Sequence, residues 1–301
     1  MHNLSFSYIS SYISLILATT IWGFGFVAVK ESVTHITPIQ VLFIRFFSSA
    51  FFLIIIYYNS IRSSRLQTIK RGFILGFFLF LAFWTQTIGI FYTTPGKNAF
   101  LTSTNVVIVP FLYWLIRGKK PKFFHIVSAL LCVLGVFLLS YSGDAFYLNK
   151  GDFFSLLCAL FFGFHIVFTD IFIKNDDLIN LSFWQFLTVS LISLLLILIK
   201  YNFVWFKNLV FIIIGEKNKR LLFSLVYICL FSTLLAYILQ TYSQKFIKPY
   251  ITSIILSTEA IWGYLASYLL YKEDINLPTI LGCGLILSSA IIVSLIDLKT
   301  N

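Results

Sequence analysis

The chain has 301 residues, of which 59% are hydrophobic and only 11% charged, and its mean hydropathy is +0.93. A water-soluble globule carries about 25% charged residues, so the composition excludes a soluble enzyme or binding module and describes a polytopic membrane protein. The net charge of +11 then belongs to Lys and Arg in short loops between spans, not to a nucleic-acid-binding face.

Taken in order, ten apolar stretches approach the ~20 residues that a helix needs to cross a bilayer. They cover roughly 10–30, 38–58, 72–93, 98–116, 123–142, 152–173, 180–200, 221–243, 250–271 and 278–297. No Lys or Arg precedes the first stretch and no A-x-A site follows it, so it is expected to be a retained helix and not a cleaved signal. Pro38, Pro121 and Pro278 stand at or just before helix starts, where a missing N–H does no harm. Pro110 lies inside the fourth stretch and predicts a kink there. The apolar piece 203–214 is too short to span and reads as interfacial or re-entrant. Cys132, Cys158, Cys229 and Cys283 fall inside apolar stretches without metal or redox spacing and read as small packing residues.

Loop charge sets the orientation. With the N-terminus inside, the two early cytoplasmic loops hold Arg62, Arg65, Lys70, Arg71, Arg117, Lys119, Lys120 and Lys122. The two early outer loops hold only Lys30 and Lys97. The bias predicts a multi-pass protein of the cell (inner) membrane with both termini cytoplasmic. The loop after the seventh stretch runs against this, with Lys200, Lys207, Lys217, Lys219 and Arg220 on the outer side; the first half decides because its loops are short.

The chain also repeats internally. A shift of 154 brings Ala82, Gln86, Thr87, Pro95, Ser103, Thr104, Leu115 and Leu131 onto Ala236, Gln240, Thr241, Pro249, Ser257, Thr258, Leu269 and Leu285. Near the start the shift is 140, and Trp22-Gly23-Phe24-Gly25 meets Phe162-Gly163-Phe164-His165. One insertion the size of 203–214 reconciles the two registers. Each half has five spans, an odd number, so the halves enter the membrane with opposite topology. The expected fold is an all-α polytopic membrane protein of ten transmembrane helices, built as two inverted five-helix repeats, 1–145 and 146–301. Such repeats place a solute site near the midplane between the halves.

The polar residues inside the spans are the candidates for that site. Glu259 sits mid-span in Ser257-Thr258-Glu259-Ala260-Ile261-Trp262-Gly263, where an ionisable residue costs about 2.5 kcal/mol or more unless it faces protein or water. It reads as a solute- or proton-carrying carboxylate, against the alternative of a buried glutamate that only ties helices together. Two of its helical neighbours, Gly263 and Ala266, are small, as expected where a helix packs closely. Asn105 is its repeat mate, and Gln86 is the mate of Gln240. The flanking Ser103, Thr104, Ser257 and Thr258 read as helix–helix hydrogen-bonding groups.

His165 could take or give a proton or be a satisfied core histidine. Trp22 could stack on a planar or cationic solute or simply pack beside Gly23 and Gly25. Arg45 is expected to snorkel to the outer interface, with an anion-binding or acid-neutralising role as the alternative. Asp170 is expected to reach water, and Glu31 and Glu273 to lie at the interface. HExxH, Walker A and GxSxG sequences are absent, and His2, His35, His125 and His165 lie in four separate segments, so no cofactor or metal is expected.

These residues resemble the EamA-type drug/metabolite transporters. The likeness lies in the five-plus-five spans, the early Trp22-Gly23, Arg45 in span two, Ala99-Phe100-Leu101-Thr102-Ser103 leading to Val109-Pro110, and the ending Glu259…Glu273…Gly282. Two positions depart from the common pattern. Ala260 stands where many members have proline, and Lys119-Lys120-Pro121 stands where many have an acidic residue, a feature shared with a basic-ended subgroup. The resemblance implies export of a small solute through a cavity lined by both halves, with no single substrate class. The reading is therefore a secondary transporter of a small metabolite (amino acid, nucleobase or drug-like solute), driven by a solute or proton gradient across the lipid bilayer. Its rivals are an intramembrane lipid-modifying enzyme and a non-transporting membrane scaffold.

Overall fold

The computed structural model describes residues 2–139, 149–201, 219–271 and 276–300, and every regular element among them is helical. The first half holds α1 (His2–Val33), α2 (Pro38–Arg62), α3 (Leu66–Tyr92), α4 (Pro95–Ser103), α5 (Asn105–Arg117) and α6 (Phe123–Leu139). The second holds α7 (Lys150–Ile173), α8 (Leu178–Tyr201), α9 (Lys219–Val226), a π-helical segment (Tyr227–Leu235), α10 (Ala236–Ser243), α11 (Pro249–Leu256), α12 (Glu259–Tyr271) and α13 (Leu277–Thr300).

Nine segments of the described residues are long and apolar enough to cross a membrane. The expected fifth span appears as α6, whose 17 described residues fall short of a full crossing. The piece 203–214 and Glu273 lie outside the described residues. The outer surface is strongly apolar: Ile55, Leu115, Phe123, Ile199 and Phe223 are exposed, as side chains facing lipid must be, since a bilayer offers backbone groups no partner and apolar ones no penalty.

Two expected spans are broken helices. The fourth breaks at Thr104 and the ninth at Ser257-Thr258. Chemistry at the two breaks is the same. Thr104 Oγ1 donates to the Leu101 carbonyl at 2.6 Å, and Thr258 Oγ1 to the Ile255 carbonyl at 2.8 Å. Both backbone N–H groups make the same i−3 bond. Each threonine thus tightens one turn, its hydroxyl adding a second donor to the carbonyl that its own N–H bonds. α5 runs on through Pro110, and the fourth span is interrupted six residues earlier, at Thr104.

Close helix approaches fall at small residues. A Cβ on Gly23 of α1 would lie 2.2 Å from the Trp262 Cβ of α12, and one on Gly135 of α6 would lie 2.8 Å from the Gly282 carbonyl of α13. In a bilayer such van der Waals contact drives association, because lipid tails are as apolar as the core. Most buried apolar side chains form two clusters. One joins α1, α2 and α3 to α8 and the π-helical segment; the other joins α4, α5 and α6 to α7, α11, α12 and α13. Each cluster mixes both halves of the chain, so neither half buries its apolar faces alone.

Polar ties close the two ends of the bundle. At one end Arg71 pairs with Asp176 at 2.7 Å, tying the start of α3 to the α7–α8 loop. At the other, Lys97 pairs with the fully buried Asp152 at 2.7 Å, tying α4 to α7. Asp152 also caps α7 together with Asn149. Lys30 donates to the Ile90 and Thr93 carbonyls at 2.8 and 2.9 Å, which caps the end of α3.

Candidate functional site

A cavity lies between the two halves, against both helix breaks. Its wall contains Trp22, Gln86, Asn105, Gln240 and Glu259, five of the six expected residues. The two breaks touch: Ser257 Oγ donates to the Ser103 carbonyl at 3.4 Å, a bond that joins α11 to α4. Asn105 and Glu259 are the first residues of α5 and α12, so each projects from its break into the same space. The expectation that Thr104, Ser257 and Thr258 serve the helices agrees with their bonds to Leu101, Ser253, Ile255 and Thr19, whereas the Ser103 hydroxyl is buried without a partner.

The wall is built in pairs. Trp22 and Phe162, and Phe26 and Ile166, are 140 residues apart; Phe83 and Tyr237, Gln86 and Gln240, and Asn105 and Glu259 are 154 apart. All ten face the cavity.

Glu259 is 8% exposed and makes no hydrogen bond or ion pair among the described residues. Asn105 Oδ1 is buried and also lacks a partner. Buried polar groups are ordinarily paired; these two acceptors stand open, one at each break. Gln240 differs: its Nε2 donates to Gln244 Oε1 at 3.0 Å, and Gln244 Nε2 donates to the Ile166 carbonyl at 2.8 Å. That chain of amides links α10 to α7. Trp22 is fixed by its Nε1, which donates to the Ser232 carbonyl at 2.7 Å, and by edge contact with Tyr237 at 5.0 Å.

Two expectations are corrected. Arg45 does not snorkel to the interface. It is 1% exposed and lines the cavity, with Nε donating to Thr233 Oγ1 at 2.7 Å, Nη2 reaching Ser232 Oγ at 3.4 Å, and its guanidinium 4.2 Å from the Phe83 ring centre. The π-helical segment explains this. Its wider i→i+5 turn, closed by Thr233 Oγ1 on the Ile228 carbonyl, releases the Cys229 and Ser232 carbonyls to Ser49 and Trp22 and turns hydroxyls toward Arg45. Asp170, expected in water, is 1% exposed and held by Lys174 at 2.9 Å.

His165 is not among the lining residues. It is fully buried behind Tyr237, with Nε2 2.9 Å from Gln185 Oε1. Sequence reasoning also missed Tyr237, Phe83 and Ser232 as wall residues. The repeat could have found the first two, since Phe83 and Tyr237 are mates at the shift of 154.

Among the described residues no group of three or more His, Cys, Asp and Glu side chains is placed to hold a metal. Comparisons with known proteins agree with the architecture. The model of the EamA-like transporter family matches twice, over residues 9–141 and 149–295. An uncharacterized transporter of Archaeoglobus fulgidus is 31% identical over 94% of this chain and 85% of its own length. The uncharacterized transporter YoaV of Bacillus subtilis is 22% identical over 91% of this chain and 93% of its own length. A protein crystal structure superposes with a TM-score of 0.74 over 99% of both chains at 13% identity, a likeness of fold alone. The chain belongs to the EamA-like transporter family.

Proposed function

We propose that the chain is a secondary transporter that exports a small metabolite across the cell membrane by alternating access. The carrying observation is the cavity between the halves, into which Asn105 and Glu259 bring unpartnered acceptors from two equivalent helix breaks. Broken helices that bring polar groups to a cavity between repeats are a recurring device of secondary transporters. The double family match and the paired cavity wall support two inverted five-helix repeats, 1–145 and 146–301, with ten spans in all. In this reading Trp22, Gln86, Asn105, Gln240 and Glu259 contact the solute, and His165 acts from behind the wall by holding Tyr237 and Gln185. The two halves rock about the fixed site, and a solute or proton gradient drives the cycle. Both termini lie in the cytoplasm.

The test is solute flux in proteoliposomes of the purified protein. Flux that is saturable, absent from empty liposomes and lost on blocking the cavity supports the reading. A cysteine placed at Gln86 and modified with a bulky thiol reagent supplies the block, in a background lacking the native cysteines. Undiminished flux after complete modification would overturn it.

A further inference from the structure

Where α5 meets α6, Arg117, Lys119, Lys120 and Lys122 place four cations within six residues. None of them lines the cavity. The turn that carries them is held at both ends. Gly118 takes the left-handed conformation that ends α5, its N–H donating to the Trp114 carbonyl at 2.7 Å. Pro121 follows, and the Lys122 N–H donates to His125 Nδ1 at 3.1 Å at the start of α6.

Four positive charges on so short a turn repel one another. No carboxylate among the described residues lies within 4.0 Å of any of them. Asp170 is within electrostatic reach of Arg117 and Lys119, but it is buried, and both its oxygens accept from Lys174 at 2.9 Å. The fold itself does not demand the charge. α5 and α12 end, and α6 and α13 begin, at positions 154 residues apart, so both halves join this helix pair with the same length of chain. In the second half Glu273, Asp274 and Asn276 stand at the positions of Lys119, Lys120 and Lys122.

Beside the turn the surface is apolar. Trp114 and Leu115 of α5 are exposed, as are Phe123, Val127 and Leu130 of α6, which share one helix face. Lys120 Nζ lies 5.4 Å from the Trp114 ring centre and Lys122 Nζ 5.9 Å from that of Phe124. The ammonium groups therefore sit at the edge of the apolar wall. Orientation by loop charge asks only for cations near a span; it does not ask for them on a fixed turn at such an edge.

We infer that this turn binds the headgroup of an anionic phospholipid, with the phosphate on the lysines and the acyl chains along α5 and α6. Ammonium groups make charge-assisted hydrogen bonds to phosphate oxygens, and a cluster of four basic residues at the end of a membrane helix matches an anionic headgroup. A soluble anion would answer the cations alone; a phospholipid also answers the wall. The site lies outside the cavity, so it stands or falls separately from the transport reading.

The experiment titrates the purified full chain, in neutral detergent, with dioleoylphosphatidylglycerol and with dioleoylphosphatidylcholine, and counts bound lipid by native mass spectrometry. The two lipids share their chains and differ in net charge. The anionic lipid should bind about tenfold or more tighter. Lys119→Gln and Lys120→Gln should each weaken it about fivefold, the effect of one basic residue at a membrane surface, and leave phosphatidylcholine unchanged. Lys119→Glu combined with Lys120→Asp, which copies the second half, should abolish the preference. Arg62→Gln combined with Arg65→Gln removes two exposed cations from the α2–α3 loop and should keep it.

Equal binding of the two lipids overturns the inference. So does an equal loss from both loops, since charge would then act through the whole surface and not at this turn. Glycerol 3-phosphate that displaces phosphatidylglycerol at equal concentration overturns it as well, because the site would then take a soluble anion. That competition is read on the wild-type protein, so it decides the matter even where a lysine variant fails to fold.

Discussion

Gly23→Ala adds one methyl group where α1 meets α12. The new Cβ would lie 2.2 Å from the Trp262 Cβ, 2.7 Å from the Gly263 nitrogen and 2.8 Å from the Trp262 carbonyl carbon. Ordinary van der Waals contact begins near 3.4 Å, so the two helices must part locally by about 1.2 Å, the difference between 3.4 and 2.2. The receiving atoms are backbone and Cβ, which cannot rotate away. Overpacking costs about 1–3 kcal/mol, and this geometry belongs at the upper end, near 3. The thermal unfolding midpoint of the purified protein should fall clearly. Flux should fall as well, because Trp22 precedes Gly23 and Glu259 lies one turn before Trp262 in the cavity wall. Gly284→Ala is the control: nothing lies within 4 Å of the added Cβ, so the helix gains up to about 1 kcal/mol from the better propensity of alanine. A Gly23→Ala protein as stable as the Gly284→Ala protein would refute the packing of α1 on α12, and with it the cavity.

Other outcomes follow from the same geometry. A reporter fused after Asn301 or within 60–68 should read cytoplasm and one within 143–150 the outside; a 60–68 loop found outside overturns the orientation. Lys97→Met leaves the buried Asp152 carboxylate without its cation and should cost about 3–5 kcal/mol of unfolding free energy. A denaturation midpoint unchanged from wild type would show that the pair is not buried. Trp22→Phe keeps the ring but removes the 2.7 Å bond to the Ser232 carbonyl, at a cost of about 1–3 kcal/mol for the acceptor left unpaired. Its flux should fall while Trp84→Phe, at a site outside the cavity wall, should leave flux near wild type; equal losses in both variants would remove Trp22 from the site.

Much of this was legible in the sequence, because hydropathy and the repeat are linear signals. Spans follow from apolar length, and the mates Asn105–Glu259 and Gln86–Gln240 follow from one numerical shift. What the sequence did not carry is direction. Arg45 lies seven residues inside its span, and nothing linear tells whether its side chain runs out to the interface or inward. The π-helical segment turns Thr233 and Ser232 toward it, and a widened turn leaves no pattern in hydropathy. The break at Thr104 was hidden for a related reason. Pro110 is the residue that ordinarily breaks helices, yet the chain is interrupted at Thr104, whose hydroxyl adds a second donor to the Leu101 carbonyl. His165 shows the reverse error: its repeat mate Gly25 lines the cavity, while the imidazole is turned away toward Gln185. Repeat position fixed its depth but not which neighbour it faces.

Glu259→Gln separates a working carboxyl group from a structural one. The substitution keeps shape and hydrogen-bonding capacity and removes the charge. A glutamate that was ionised and paired would lose about 3–5 kcal/mol through the abandoned partner, but no partner contacts Glu259 among the described residues. Its burial therefore brings the protein a desolvation cost and no compensating bond. Thermal stability of the variant should hold or rise. Flux should fall by about tenfold or more, the loss of one charge-assisted contact of about 1.5–3 kcal/mol. Stability and flux must be read on the same preparation, since only their opposition is informative. A fall in both would mean that the carboxylate holds the bundle together. Normal flux across a range of pH would remove Glu259 from the mechanism and leave Asn105 Oδ1, the other open acceptor at the paired breaks, as the group around which the site must be rebuilt.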